Sequence, residues 1–368
     1  MLHSAYYNIK IYTGLTILEG KAILTEEGII RDIIPESEIP GDYEKIDLEG
    51  KNLAPAFIDL QIYGGNGQLF AHHLSLESLE KTYQYCSNGG CHHFMITIAT
   101  NSDEVVYKGI ETVRDYWNKG GKGLLGLHLE GPYIHPQKRG AHKTEFIQNP
   151  EVNKIKQLLE AGRGIIKMIT LAPERCDDAI IRLLLDNGII LSAGHSLATY
   201  QQARHGFDLG IPLATHLFNA MSPFQGREPG MVGAIYHDTR VMSSIVADGI
   251  HVDFAAVNIS MRIMGDRLFL ITDAVTTITE GPYHHLFKED RYVLPDGTLS
   301  GSSLTMMQAV KNCVLRAGIA LDEALRMATA YPAKAIGGDK RLGYILPGYE
   351  AAFVVFDDDF QVISTIHP

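Results

Sequence analysis

Tryptophan occurs once in the 368 residues and cysteine four times, at Cys86, Cys91, Cys176 and Cys313. No two cysteines stand as Cys-x-x-Cys, so neither a zinc ribbon nor a thioredoxin-like redox pair is supported. No run approaches the ~18 apolar residues that span a bilayer, which argues against a membrane protein. Met1 to Asn8 hold no basic patch leading into an apolar stretch, so no signal peptide is expected. In such a chain the thiols are expected to be buried and reduced, which points to the cytoplasm. Basic residues are in deficit, 32 Lys+Arg against 43 Asp+Glu, for a net charge of −11. That balance argues against nucleic acid as a partner. A Gly-x-Gly-x-x-Gly fingerprint and a Walker phosphate loop are both missing.

Hydrophobic residues make up 45 % and charged residues 20 %, enough for a full core. A chain of this length buries roughly three quarters of its unfolded surface. The first fifty residues read as short strands, Lys10 to Thr13, Ala22 to Leu24 and Gly28 to Pro35. Near the other end, Ala351 to Asp357 is again a strand, and Asp357-Asp358-Asp359 a solvated turn. Between them, apolar runs alternate with helical patterns. The runs are Ala54 to Ile62, His92 to Ala99, Gly123 to Leu129, Ile165 to Leu171, Ile189 to Ala193, Pro212 to Thr215, Val241 to Ala247 and Leu268 to Thr272. The helical patterns include Leu76 to Ser87, Leu197 to His205 and Ser303 to Arg316, whose Met306 and Met307 read as core. Eight strands alternating with helices predict a closed (β/α)8 TIM-type barrel, with an open doubly wound sheet as the competitor. The expected division is a small β domain from residues 1–53 and 339–368 and a barrel from 54–338.

Catalytic groups of such barrels stand at the carboxyl ends of strands. Four of the runs end in Glu130, His195, His216 and Asp273. Singly, each has a plainer reading: a satisfied strand-end histidine, a turn carboxylate, a helix cap. Together they form two imidazoles and a carboxylate able to hold a catalytic metal, with a further acid free to act as base. By the same standard His142, beside Lys138 and Arg139, reads as a loop residue, and Arg227 as a solvated loop charge.

These stretches resemble the N-acetylglucosamine-6-phosphate deacetylase family of the amidohydrolase superfamily. The resemblance rests on His128-Leu129-Glu130-Gly131-Pro132, Ser192-Ala193-Gly194-His195-Ser196, Thr215-His216-Leu217-Phe218-Asn219-Ala220-Met221, Ala247-Asp248-Gly249-Ile250-His251 and Ile271-Thr272-Asp273-Ala274. It implies a metal-dependent barrel with a β-sandwich-like domain made from both chain ends. It further implies Glu130, His195 and His216 as metal ligands and Asp273 as the catalytic acid and base. Ala141, His142, Asn219, Ala220, Arg227, His251, Leu299, Ser300 and Gly301 match the family's substrate-contacting positions. Arg227 is expected to clamp a phosphate. A homodimer with His251 near the interface is implied as well.

Many superfamily members carry His-x-His at the end of the first strand. Here the positions are Asp59-Leu60-Gln61. A single divalent ion is therefore expected, zinc first, with iron, cobalt or manganese acceptable to the same donors. Asp59 and Gln61 are left as residues behind the ligands. The activity implied is deacetylation of an amino-sugar phosphate. The galactosamine epimer, another single-metal amidohydrolase such as a deaminase, or a non-catalytic sugar-phosphate-binding barrel are the alternatives.

Overall fold

The computed structural model describes residues 3–368. Eight strands pair in chain order and in parallel: Phe57–Ile62, Cys91–Ala99, Leu124–Glu130, Ile166–Leu171, Ile190–Ala193, Leu213–Ala214, Met242–Ile245 and Leu268–Leu270. Helices alternate with them, from Leu76–Asn88 after the first to Met306–Leu315 after the last. The strands are apolar on both faces because side chains fill the barrel and helices cover it. Phe57, Ile58, Ile62, Phe94 and Leu127 are fully buried.

The ring closes through few bonds. Ile62 and Ala274 form one parallel bridge. The N–H of Asp273 donates to the Gln61 carbonyl at 3.0 Å, and the N–H of Tyr63 to the Ala274 carbonyl at 3.0 Å. Side chains reinforce the seam. The Asp59 carboxylate accepts from the Thr272 backbone N–H at 3.2 Å and from its hydroxyl at 2.5 Å.

Both chain ends contribute to one seven-stranded sheet. Strand His3–Tyr12 runs antiparallel to Lys21–Glu26 and parallel to Glu44–Pro55, which pairs with Phe353–Phe356. Ile11, Ile23, Ile30, Leu53 and Phe353 form its own core cluster. The run Ala54 to Ile62, expected as one strand, is split at Ala56. Ala54 and Pro55 pair with Val354 and Phe353, and the barrel strand begins at Phe57. Burial on both sides hides such a break from a hydropathy pattern. The helix expected from Leu197 starts instead at Tyr200. The Leu197 N–H is held by the Glu174 carboxylate at 2.7 Å, and Thr199 with Gln202 forms a capping box that sets the start. Residues 286–301 add a three-stranded antiparallel sheet, absent from the sequence reading, which reaches the barrel mouth at Leu299–Gly301. Met306 and Met307 are core residues, as expected. No helix among the described residues is long and apolar enough to cross a membrane.

Candidate active site

Glu130 ends the third barrel strand, and His195, His216 and Asp273 follow the fifth, sixth and eighth. The last three share a backbone feature: φ is +47° at His195, +39° at His216 and +54° at Asp273. Side chains other than glycine's rarely adopt this region, and strain of this kind gathers at functional sites. Each strand turns sharply as it leaves the barrel, which aims the side chain back over the axis. Gly131, after Glu130, has φ of +91°, and a Cβ there would lie 2.1 Å from the Thr100 hydroxyl. Only glycine fits that close approach.

Three donor atoms converge. His195 Nε2 lies 3.2 Å from Glu130 Oε1, His216 Nε2 lies 3.0 Å from the same oxygen, and the two nitrogens are 3.0 Å apart. All three residues are buried. His195 Nδ1 is 2.8 Å from the Lys138 carbonyl, which can only accept. Its proton is therefore on Nδ1, and the Nε2 lone pair faces a carboxylate oxygen. His216 Nδ1 is buried with no partner. Lone pairs crowded onto one point, with at most one ring proton among them, suit a shared cation. The near-equilateral spacing suits donors bound at about 2.0–2.2 Å to one ion.

Burial would raise the pKa of Glu130, but His195 and His142 outweigh it and hold the carboxyl well below its usual range. His142 Nδ1 accepts from the Thr100 N–H at 3.2 Å, which leaves Nε2 as the donor to Glu130 Oε2 at 2.9 Å. Tyr63 donates to that same oxygen at 2.5 Å. Gln61 Nε2 lies 2.9 Å from both Glu130 Oε1 and Asp273 Oδ1. Burial pushes the Asp273 carboxyl above its usual range, and His251 and His216 offset part of that rise. His251 Nε2 is 3.7 Å from Asp273 Oδ2, while its Nδ1 meets Asp248 Oδ2 at 2.6 Å. The Asp248 carboxylate also accepts the N–H of Ile250 and of His251, each at 2.8 Å.

A cavity of about 280 Å³ opens over these groups. Glu130, His142, His195, His216, His251 and Asp273 line it. Ala141, Asn219, Ala220, Leu299, Ser300 and Gly301 line it as well. Arg227 is not among the lining residues. It is exposed on the loop before helix Gly230–His237, and among the described residues neither Lys nor Arg lines the cavity. Gln61 and Asp59 are buried behind the site. Sequence reasoning missed Tyr63, Thr100, Asp248, His285 and Tyr283, which lines the cavity and donates its hydroxyl to the Thr100 carbonyl at 2.5 Å. Tyr63 follows an apolar run and looks like core. His285 donates to or accepts from Ser300 Oγ at 2.9 Å, from a segment with no periodic pattern.

The model of the amidohydrolase family matches residues 52–367, the whole barrel and the returning strands. The chain belongs to the amidohydrolase family. Residues 5–53 of this amidohydrolase match the NagA composite domain. Among its relatives is the N-acetylglucosamine-6-phosphate deacetylase of Haemophilus influenzae, 39 % identical over 98 % of this chain and 97 % of the relative. An N-acetylgalactosamine-6-phosphate deacetylase of Escherichia coli O157:H7 is 32 % identical over 94 % of this chain and 96 % of its own length. The crystal structure of N-acetylglucosamine-6-phosphate deacetylase from Pasteurella multocida superimposes with a TM-score of 0.96 at 36 % identity, covering 100 % of this chain and 98 % of that one.

Proposed function

We propose that this amidohydrolase hydrolyses the acetamide of N-acetyl-D-glucosamine 6-phosphate to D-glucosamine 6-phosphate and acetate. The observation that carries this reading is the Glu130–His195–His216 donor triangle, joined to the neighbouring carboxylate of Asp273 through Gln61. The similarity to the deacetylase of H. influenzae supports the choice of substrate.

Glu130, His195 and His216 would hold one divalent ion, zinc by preference, whose chemistry is to acidify water and polarise a carbonyl. Asp273 accepts the proton of the attacking water and later delivers it to the departing amine. Its carboxylate, 2.9 Å from the Gln61 amide that also meets Glu130, is placed beside the ligand triangle for both tasks. His142, whose Nε2–H is held by Glu130 Oε2 on the cavity wall, would turn that donor to the acetamide oxygen as negative charge grows there and Glu130 is taken up by the ion. Gln61 keeps the Asp273 carboxylate turned toward the ligand triangle. Asp248 fixes the His251 ring, so that Nε2 faces the substrate side.

The phosphate needs a cation that the cavity of a single chain lacks. Arg227 stands on an exposed loop with Phe224, which is 61 % exposed. The Phe224 ring lies 6.4 Å from that of Tyr236, whose hydroxyl bonds Ser260 on helix Phe254–Met264 at 2.8 Å. That helix leaves Ile259 and Ile263 exposed at 54 % and 47 %. An apolar face of this kind suits a homodimer, with Arg227 clamping the phosphate in the partner's cavity. The cysteines are buried and unpaired, which suits a reducing cytoplasm. Acetate release from both 6-phosphate epimers and from unphosphorylated N-acetylglucosamine tests the reading. A higher kcat/KM on the galactosamine epimer would overturn the substrate assignment. No acetate from any of the three would overturn the activity.

A further inference from the structure

A second histidine cluster lies at the opposite end of the barrel. His92 and His93 open the second barrel strand, Cys91–Ala99, whose far end borders the catalytic cavity. Seven residues of extended chain separate the two ends, about 23 Å at ~3.3 Å per residue. Glu350 faces the pair from the segment that leads into strand Phe353–Phe356. One donor atom from each of His92, His93 and Glu350 lies within 4.8 Å of the others. The side chains are nearly buried, 6 % and 7 % exposed for the histidines and 11 % for Glu350.

The two histidines meet the same carboxylate oxygen unequally. His93 Nε2 meets Glu350 Oε1 at 2.8 Å. His92 Nε2 faces the same oxygen from 4.0 Å, too far for a hydrogen bond. Separations of 2.8 and 4.0 Å bracket the spacing of donors around one tetrahedral ion. Each of two donors is also held from behind, as metal ligands commonly are. His92 Nδ1 contacts the Tyr83 hydroxyl at 3.1 Å and His367 Nδ1 at 3.0 Å. Glu350 Oε2 accepts from Arg341 at 2.5 Å. The partial exposure of Glu350 leaves a way in.

We propose that His92, His93 and Glu350 form a second metal site, structural rather than catalytic, for a borderline divalent ion such as Zn2+. Imidazole and carboxylate donors in this number select zinc, cobalt, nickel or copper over magnesium or calcium. Bound there, the ion ties the returning segment at Glu350 to the barrel strand. Through Tyr83 and His367, the last strand, Val362–Ile366, is drawn onto the same floor. None of these residues takes part in the proposed hydrolysis.

The test begins with enzyme brought to its activity plateau in Zn2+ and freed of loosely held metal. Two zinc ions per chain are expected in the wild type. One is expected in His92→Asn and one in His93→Gln, with kcat/KM within about twofold of wild type. The second equivalent should raise the wild-type Tm and leave those of the variants unmoved. A wild-type crystal grown with Zn2+ should show an anomalous peak among the three side chains, and this decides the matter even where a variant fails to fold. One zinc per chain in the wild type, or no such peak, overturns the proposal. So does a second zinc retained by both folded variants.

Discussion

Asp59 and Thr272 join the first and last strands of the barrel: one carboxylate accepts both the N–H and the hydroxyl of a single threonine. The next residue is Asp273. The proposed base is therefore placed by the seam that closes the ring, and its own N–H adds the bond to the Gln61 carbonyl. Asp59→Asn keeps the shape but puts an amide donor where Thr272 donates. Turnover should fall about 10- to 100-fold, as for a base displaced by a fraction of an ångström. The metal content should be unchanged. Steady-state kinetics with metal analysis checks both.

The same residue makes stability depend on pH. Burial pushes the Asp59 carboxyl up to about 7, whereas in the unfolded chain it titrates near ~3.9. Between those values the folded state holds the extra proton, so this group's contribution to stability declines as pH rises from about 4 to 7. Asp59→Asn cannot titrate. Denaturant unfolding at several pH values should show a wild-type-minus-variant stability difference that falls across that window. A flat difference, or one that rises, would show that Asp59 is ionised throughout.

Asp273→Asn should retain the ion and the substrate yet lose about 10²- to 10⁴-fold in kcat, the range for a positioned acid–base group. An amide cannot take up the proton of the attacking water. Substrate binding measured calorimetrically on the variant, beside its kcat, separates the two effects. Weakened binding with turnover intact would assign Asp273 to the substrate instead.

Much of this site stands out in the sequence because four ionisable residues terminate four apolar runs. Glu130, His195, His216 and Asp273 needed only the count of strands and the rule that barrel chemistry sits at their carboxyl ends. Tyr63 escaped notice because an aromatic after Ile62 is indistinguishable from core, although its hydroxyl reaches Glu130. Asp59 entered only as one of the positions where superfamily members carry His-x-His, and its partner lies 213 residues away, a pairing that no periodicity reports. His92 and His93 read simply as the start of a strand. What sets them apart is Glu350, brought in by the fold of the other chain end. The three-stranded sheet of residues 286–301 has strands of three residues, too short for an alternating pattern to register.

Arg227 supplies a test that separates one chain from two. Arg227→Ala should weaken the 6-phosphate substrate and barely change the unphosphorylated sugar, with a coupling on the order of 1.5–3 kcal/mol for a hydrogen bond to a charged group. Because Arg227 lies outside its own cavity, Arg227→Ala and Asp273→Asn chains should complement each other when mixed and refolded. Each hybrid dimer would hold one site with both residues intact. Recovery of about a quarter of wild-type activity is expected from random pairing. No recovery would place Arg227 in the service of its own chain, or remove it from the phosphate altogether.

The most direct measurement follows acetate from N-acetyl-D-glucosamine 6-phosphate as the metal is removed and restored. Chelated enzyme should release no acetate. Adding zinc should restore release in proportion to occupancy at Glu130, His195 and His216, reaching a plateau at one ion per catalytic site with one acetate per glucosamine 6-phosphate formed. Full turnover by enzyme shown to hold no metal, or a Glu130→Gln variant that keeps wild-type kcat, would contradict the mechanism at its centre.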